Sequence, residues 1–168
     1  MTALAGIVPF QIGDSKSNIE IVRRIPGVSG SVDALAIRAE WEEKTIRVLD
    51  PISLPACKLE LFASMPQEER QDVTHLKILA LCVRAFLIEF LQRVEHGEIP
   101  ERHWLGAANQ VLKLTTDHRA RKIAGKHQIN WLEILPLTAI SKSQDEKIRR
   151  VREQQLDQSY KKSRGISI

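Results

Sequence analysis

Glu40, Glu42, Lys58 and Asp72 are the residues whose type and position could do chemistry. Glu40 and Glu42 are two carboxylates one residue apart, an arrangement that can hold Mg²⁺ when the ligand geometry is near ideal. The competing reading for this pair is a solvated strand edge and hairpin tip. Lys58 lies in a Leu-rich stretch, where an ammonium can be aimed at an anion or simply decorate an amphipathic surface. Asp72 stands where a long apolar periodicity begins, so it is a helix N-cap candidate that could pair with Arg70.

Other catalytic sets do not assemble. The histidines at 75, 96, 103, 118 and 127 lack the HxxxH and HExxH spacings, and two cysteines cannot complete a zinc set. Walker A, GxGxxG and GxSxG patterns are missing from the chain. Cys57 and Cys82 sit in apolar contexts without CxxC spacing, which predicts buried free thiols in a reducing, cytoplasmic setting. No signal peptide is expected, because the N-terminus has no basic stretch leading into an apolar one.

Positioning these residues requires a core, and 43% apolar residues in 168 supply one. The longest apolar candidate, 78–91, is interrupted by Arg84 and Glu89 and falls short of the roughly 18 residues of a membrane span. The net charge of +4 is concentrated in residues 142–168, with eight Lys/Arg against four Asp/Glu; residues 1–141 balance at seventeen of each. The tail, 142–164, is therefore the segment expected to contact nucleic acid or an acidic protein, against the alternative of a solvated helical face with Ile148, Val151 and Leu156 as a thin seam. Only Tyr160 in it could stack on a base.

The elements follow in order. Ile7, Val8, Phe10 and Ile12 predict an edge strand, with Pro9 within it. A polar turn at 14–17 precedes a short helix over Asn18–Ile25, stopped by Pro26-Gly27. Val32–Trp41 and Thr45–Leu49 form a hairpin whose tip is Glu42-Glu43-Lys44. Asp50-Pro51 opens a helix carrying Lys58, and a polar break at 66–70 follows. The helix entered at Asp72 runs to Glu95, with Val73, Leu76, Leu79, Val83, Phe86, Leu87, Phe90, Leu91 and Val94 at helical spacing. Glu101–Thr115 is helical, continuing through 116–123, and Ile129–Ile140 is a pair of apolar turns broken at Pro136. The fold class is α+β: a small mixed or antiparallel sheet with a hairpin, then a mostly helical part. Three portions are expected, 1–65, 66–141 and 142–168.

The central stretch carries a resemblance. Val48, Leu49, Pro51, Leu54, Lys58 and Leu59, followed by Arg70, Asp72 and Leu76, are similar to the second half of minimal bacterial nucleotidyltransferase-like proteins, including abortive-infection toxin relatives. It covers about residues 6–95. Two departures stand in its Lys-Asp-x-x-Asp-Leu pattern: Gln71 replaces the Lys and His75 the second acid. The resemblance implies Lys58 and Asp72 as nucleotide-binding residues, with Mg²⁺ and an NTP as cofactors if the chain is active. It also calls for a Gly-Ser turn and a strand with two carboxylates ahead of the hairpin. No Asp-x-Asp or Asp-x-Glu occurs in residues 1–50, and Gly30-Ser31 with Glu40-x-Glu42 is the only substitute. The expected function is a truncated or degenerate nucleotidyltransferase-like protein acting through a protein partner or a second copy, with the helical half as its surface. One alternative is a helical adaptor or antitoxin-like subunit with a basic tail. Another is active Mg²⁺-dependent transfer using Glu40 and Glu42.

Overall fold

The computed structural model describes residues 4–22, 25, 27, 36–65 and 71–151. Among the described residues, four strands precede the helices: β1 (Leu4–Ile12), β2 (Ser15–Val22), β3 (Ala36–Trp41) and β4 (Lys44–Leu49). They pair as two separate antiparallel hairpins, β1 with β2 and β3 with β4. Helices follow as α1 (Ser53–Ser64), α2 (Asp72–Glu95), α3 (Glu101–Thr116) and α4 (His118–His127), then a 3-10 turn (Trp131–Ile134), α5 (Leu137–Lys142) and α6 (Glu146–Val151). The α+β expectation holds, as two hairpins in place of one sheet.

Of the expected helix over Asn18–Ile25, residues 18–22 are strand, and residues 23, 24 and 26 lie outside the described residues. Its apolar positions 19 and 21 fit the two-residue period as well as the helical one, and an apolar strand lies directly upstream. Gly13 at φ 57° turns the chain one residue ahead of the expected polar turn, so Ile12 pairs with Ser15 and Val8 with Ile19. An isolated two-turn helix has a costly nucleus and few bonds, whereas the hairpin zips onto a neighbour already beside it. Ile7, Val8, Phe10 and Ile12 are all exposed on β1.

In the second hairpin Ile37 faces Val48, Ala39 faces Ile46 and Glu40 faces Thr45. The tip is the two-residue turn Glu42-Glu43, at φ 43° and 62°. Both residues are left-handed, the geometry that matches hairpin twist but favours Asn and Gly. A left-handed Glu is strained, so Glu43→Gly is expected to stabilise this hairpin by about 1 kcal/mol after allowing for the entropy of glycine. Slower amide exchange at Ile37 and Val48, with that of the helices unchanged, is the readout.

Asp50 fixes the turn that leads into α1, although the cap position itself falls on Ile52 and Pro51 lies in the turn ahead of the helix. Its Oδ1 accepts from the amides of Ile52 and Ser53 at 2.9 and 3.0 Å, and its Oδ2 accepts from Ser53 Oγ at 2.6 Å. Helix α2 matches its expected span, and its apolar set divides by face: Leu76, Val83, Leu87 and Leu91 are buried, and Phe86, Phe90 and Val94 pack beside them. Gly97 at φ 75° closes it, its amide donating to Val94 O.

Two tryptophans fasten the bundle. Trp104 on α3 is fully buried and its Nε1 donates to Leu87 O on α2 at 2.9 Å. Trp131 does the same from the 3-10 turn to Ala120 O on α4, also at 2.9 Å. The expected continuation of α3 through Ile123 is instead a break. Asp117 leaves helical geometry, and its Oδ1 accepts from Ala120 N at 2.9 Å, starting α4 as a new helix. Of the tail, α6 is described: Ile148 is fully buried and Lys147 Nζ lies 2.6 Å from Glu101 Oε1. That hydrogen bond holds the Glu101 carboxyl below its usual range and the Lys147 ammonium above its own. Val32–Leu35, residues 66–70 and the rest of the tail, with Leu156 and Tyr160, lie outside the described residues.

Candidate functional site

Two of the four candidates come together. Lys58 Nζ on α1 lies 3.3 Å from Asp72 Oδ1, at the first residue of α2. The Asp72 side chain is 2% exposed and that of Lys58 26%. Each partner is delivered by a feature already described. Asp50 sets the start of α1, so that Lys58 falls on the side facing α2, and the apolar stripe of α2 sets the rotation that turns Asp72 inward. The N-cap expectation for Asp72 is corrected: Gln71 holds the cap position and makes no side-chain cap bond. Asp72 instead sits inside the first turn, where the helix dipole favours an anion and Lys58 supplies a cation. A buried carboxylate needs such partners, since desolvation alone would disfavour its charged form.

Cys57 is the residue beside Lys58 and is buried, as expected. Burial pushes its thiol up; the Lys58 charge works against this and the Asp72 charge adds to it. A raised value means that the folded state holds the proton more tightly. The corresponding stability is fully present below the unfolded pKa and is lost as pH rises through the folded one. Cys82, expected to be buried, is exposed, and both thiols are free. Iodoacetamide at neutral pH is therefore expected to label Cys82 in the native protein and leave Cys57 unmodified, with Cys57 appearing by mass spectrometry only after denaturation. Equal labelling of both in the folded protein would contradict this placement.

Glu40 and Glu42 are not drawn into that cluster. Glu40 accepts a hydrogen bond from Thr45 Oγ1 across the hairpin at 2.9 Å, and Glu42 is the first residue of the left-handed tip. Both are exposed. Among the described residues, no three His, Cys, Asp or Glu side chains are grouped to hold a metal ion. Of the other positions carrying the resemblance, Leu59 and Leu76 are core residues, Val48 and Leu49 are half-buried at the end of β4, and Arg70 lies outside the described residues. His75 sits on the first turn of α2, with its Nδ1 buried and unpartnered among the described residues.

One feature was missed in the sequence. Helix α2 is apolar on two sides, and only one of them is covered. Ile78 and Leu81 are 52% and 70% exposed, and Cys82 and Ala85 are exposed with them. The spacing i, i+3, i+4, i+7 puts these four on one solvent-facing stripe. The signal was present in the alternation of two apolar stripes within 76–91, which reads as a single long core helix until its neighbours are known.

No helix of the described residues is long and apolar enough to cross a membrane. Compared with protein-family models, curated proteins and solved structures, the chain matches none.

Proposed function

We propose that this chain is a nucleotidyltransferase-like scaffold that acts by pairing with a protein partner through α2, and that the partner is a second copy of itself. The observation that carries this reading is the uncovered stripe Ile78, Leu81, Cys82 and Ala85. A helix apolar on both sides belongs in an interior, and an exposed apolar patch on a folded chain marks an interaction site. Charge selects the occupant. Lys77 flanks the N-terminal end of the stripe and Glu89 closes its C-terminal end, both exposed. Two copies packed antiparallel about a two-fold axis bury the four apolar residues against their equivalents and set Lys77 of one copy near Glu89 of the other. A parallel arrangement would oppose like charges. Lys58 and Asp72 serve this scaffold as the brace between α1 and α2.

Sedimentation velocity from about 1 to 100 µM tests the pairing, the upper end being where weak protein pairs form. The expected result is a dimer that Leu81→Glu converts to a monomer with an unchanged far-UV spectrum. Cys82 lies near the centre of the stripe, so mild oxidation is expected to link two copies in the wild type and not in Leu81→Glu. A monomer at every concentration overturns the proposal. Radiolabelled NTP with Mg²⁺ tests the chemistry. No transfer is expected, and transfer that disappears in Glu40→Ala and Glu42→Ala would show an active enzyme instead.

A further inference from the structure

Helix α4 has an unusual charge distribution for a surface helix. Its ten residues contain Arg119, Arg121, Lys122 and Lys126, two histidines and no acid. The buried side is Ala120, Ile123 and Ala124, so the cations all lie on the opposite, exposed side, together with His118 and Gly125. Solvated helices ordinarily interleave opposite charges four residues apart; here Lys122 and Lys126 are a like-charged pair at that spacing. The helix dipole does not account for the pattern either. It favours cations at the C-terminal end, where Lys126 lies, but Arg119 and Arg121 occupy the N-terminal half, where cations are disfavoured.

Local acids leave most of this charge unanswered. Arg119 pairs with Glu60 of α1 at 3.2 Å. Asp117 directs its carboxylate to the Ala120 amide. Among the described residues Arg121, Lys122 and Lys126 carry no ion pair. Lys113 of α3 borders the same groove as Arg119, together with Glu60 and Asp117. From Arg119 to Lys126 the cations span roughly 10 Å along the axis, with Lys122 and Lys126 roughly 6 Å apart, enough for several phosphates of one strand. Just past the C-terminal end of the helix, Gln128 and Asn130 line a cleft of about 250 Å³ together with Lys77 and Arg84 of α2. Amide side chains of this kind can hydrogen-bond the exposed edges of unpaired bases.

From this arrangement we infer that the exposed face of α4 is a binding surface for single-stranded nucleic acid, with Arg121, Lys122 and Lys126 on the phosphates and Gln128 and Asn130 beside the bases. The surface belongs to the folded body and is separate from the basic tail. The α4 cations lie off the α2 stripe, whereas the cleft beside Gln128 and Asn130 shares Lys77 and Leu81 with it.

Fluorescence anisotropy with a labelled 20-nucleotide RNA, using the full chain, tests this. The expected result is binding that weakens steeply with salt, and at least a tenfold loss in the triple variant Arg121→Ala/Lys122→Ala/Lys126→Ala. The log–log salt slope should fall by about two, as for three lost single-strand contacts. Lys122→Arg/Lys126→Arg keeps the charge and should bind as the wild type does, and thermal melts establish that each variant is folded. A tail variant, Lys161→Ala/Lys162→Ala/Arg164→Ala, should retain the binding. Three outcomes would overturn the inference: no RNA binding, affinity lost in the tail variant but kept in the α4 variant, or equal binding of polyglutamate, which would mark an acidic-protein surface. Preference for duplex over the single strand would also overturn it.

Discussion

Trp104→Ala is expected to lower stability by about 3–5 kcal/mol, the range for removing a large buried aromatic. Trp104 is fully buried at the centre of the helical core and touches the framework in two ways. Its ring fills the space between α3 and α2, and its Nε1 hydrogen bond to Leu87 O fixes their relative height. Alanine removes both and leaves a cavity that rigid helices cannot close. Against a total of about 5–15 kcal/mol for a native domain, such a loss consumes a large share. In a chain of this size it should appear as a fall of roughly 10 °C in the melting midpoint. Trp104→Phe separates the two contributions. It retains most of the volume and loses the donor, so about 1–2 kcal/mol is expected. If both variants melted within a degree of the wild type, this packing centre would be misplaced.

The same core explains what could be read in advance. Nine apolar positions at helical spacing over 73–94 identified α2 and both of its ends, because a long periodic pattern bounded by Asp72 and Gly97 has few other solutions. Which side of it would face solvent could not be read. That depends on α1, α3 and the 3-10 turn covering one stripe and not the other, so Cys82 was expected inside and lies outside. The expected helix over Asn18–Ile25 gives way for a different reason: its apolar positions fit two periods, and pairing of residues 18–22 with β1 decides for the strand. The hairpin tip at Glu42-Glu43 was located, but its left-handed backbone was not, since two glutamates do not announce that geometry. Asp117 did carry a signal, an N-cap residue between two helical patterns, that went unused. Summing charge over residues 1–141 gave zero and hid an acid-free helix within the balance. Asp72 was picked out as chemically significant, yet its partner lies fourteen residues upstream on another helix, a relation that appears only when the two helices pack.

The Lys58–Asp72 pair supports the second large prediction, which turns on the order of effects. Its two ends differ in access to water, at 26% and 2% exposure. Lys58→Met leaves a buried carboxylate without this cation. It should cost about 2–3 kcal/mol, below the full range for breaking a buried pair because the lysine is partly solvated. Asp72→Asn removes the charge from the inaccessible side and leaves an ammonium that can turn outward, so about 1 kcal/mol is expected. Lys58→Met/Asp72→Asn should be less destabilised than the sum of the two, because the neutral amide tolerates the apolar neighbour that the carboxylate does not. Denaturant titration of the four proteins gives the coupling directly. Costs in the reverse order, or strict additivity, would mean that the two groups do not stabilise each other across α1 and α2. NTP titration of the same set tests the chemical role that the resemblance assigns to these residues. A brace leaves Lys58→Met no weaker for nucleotide than the wild type. A tenfold loss of nucleotide affinity in Lys58→Met, with folding intact, would place the ammonium on a phosphate and overturn the structural reading of the pair.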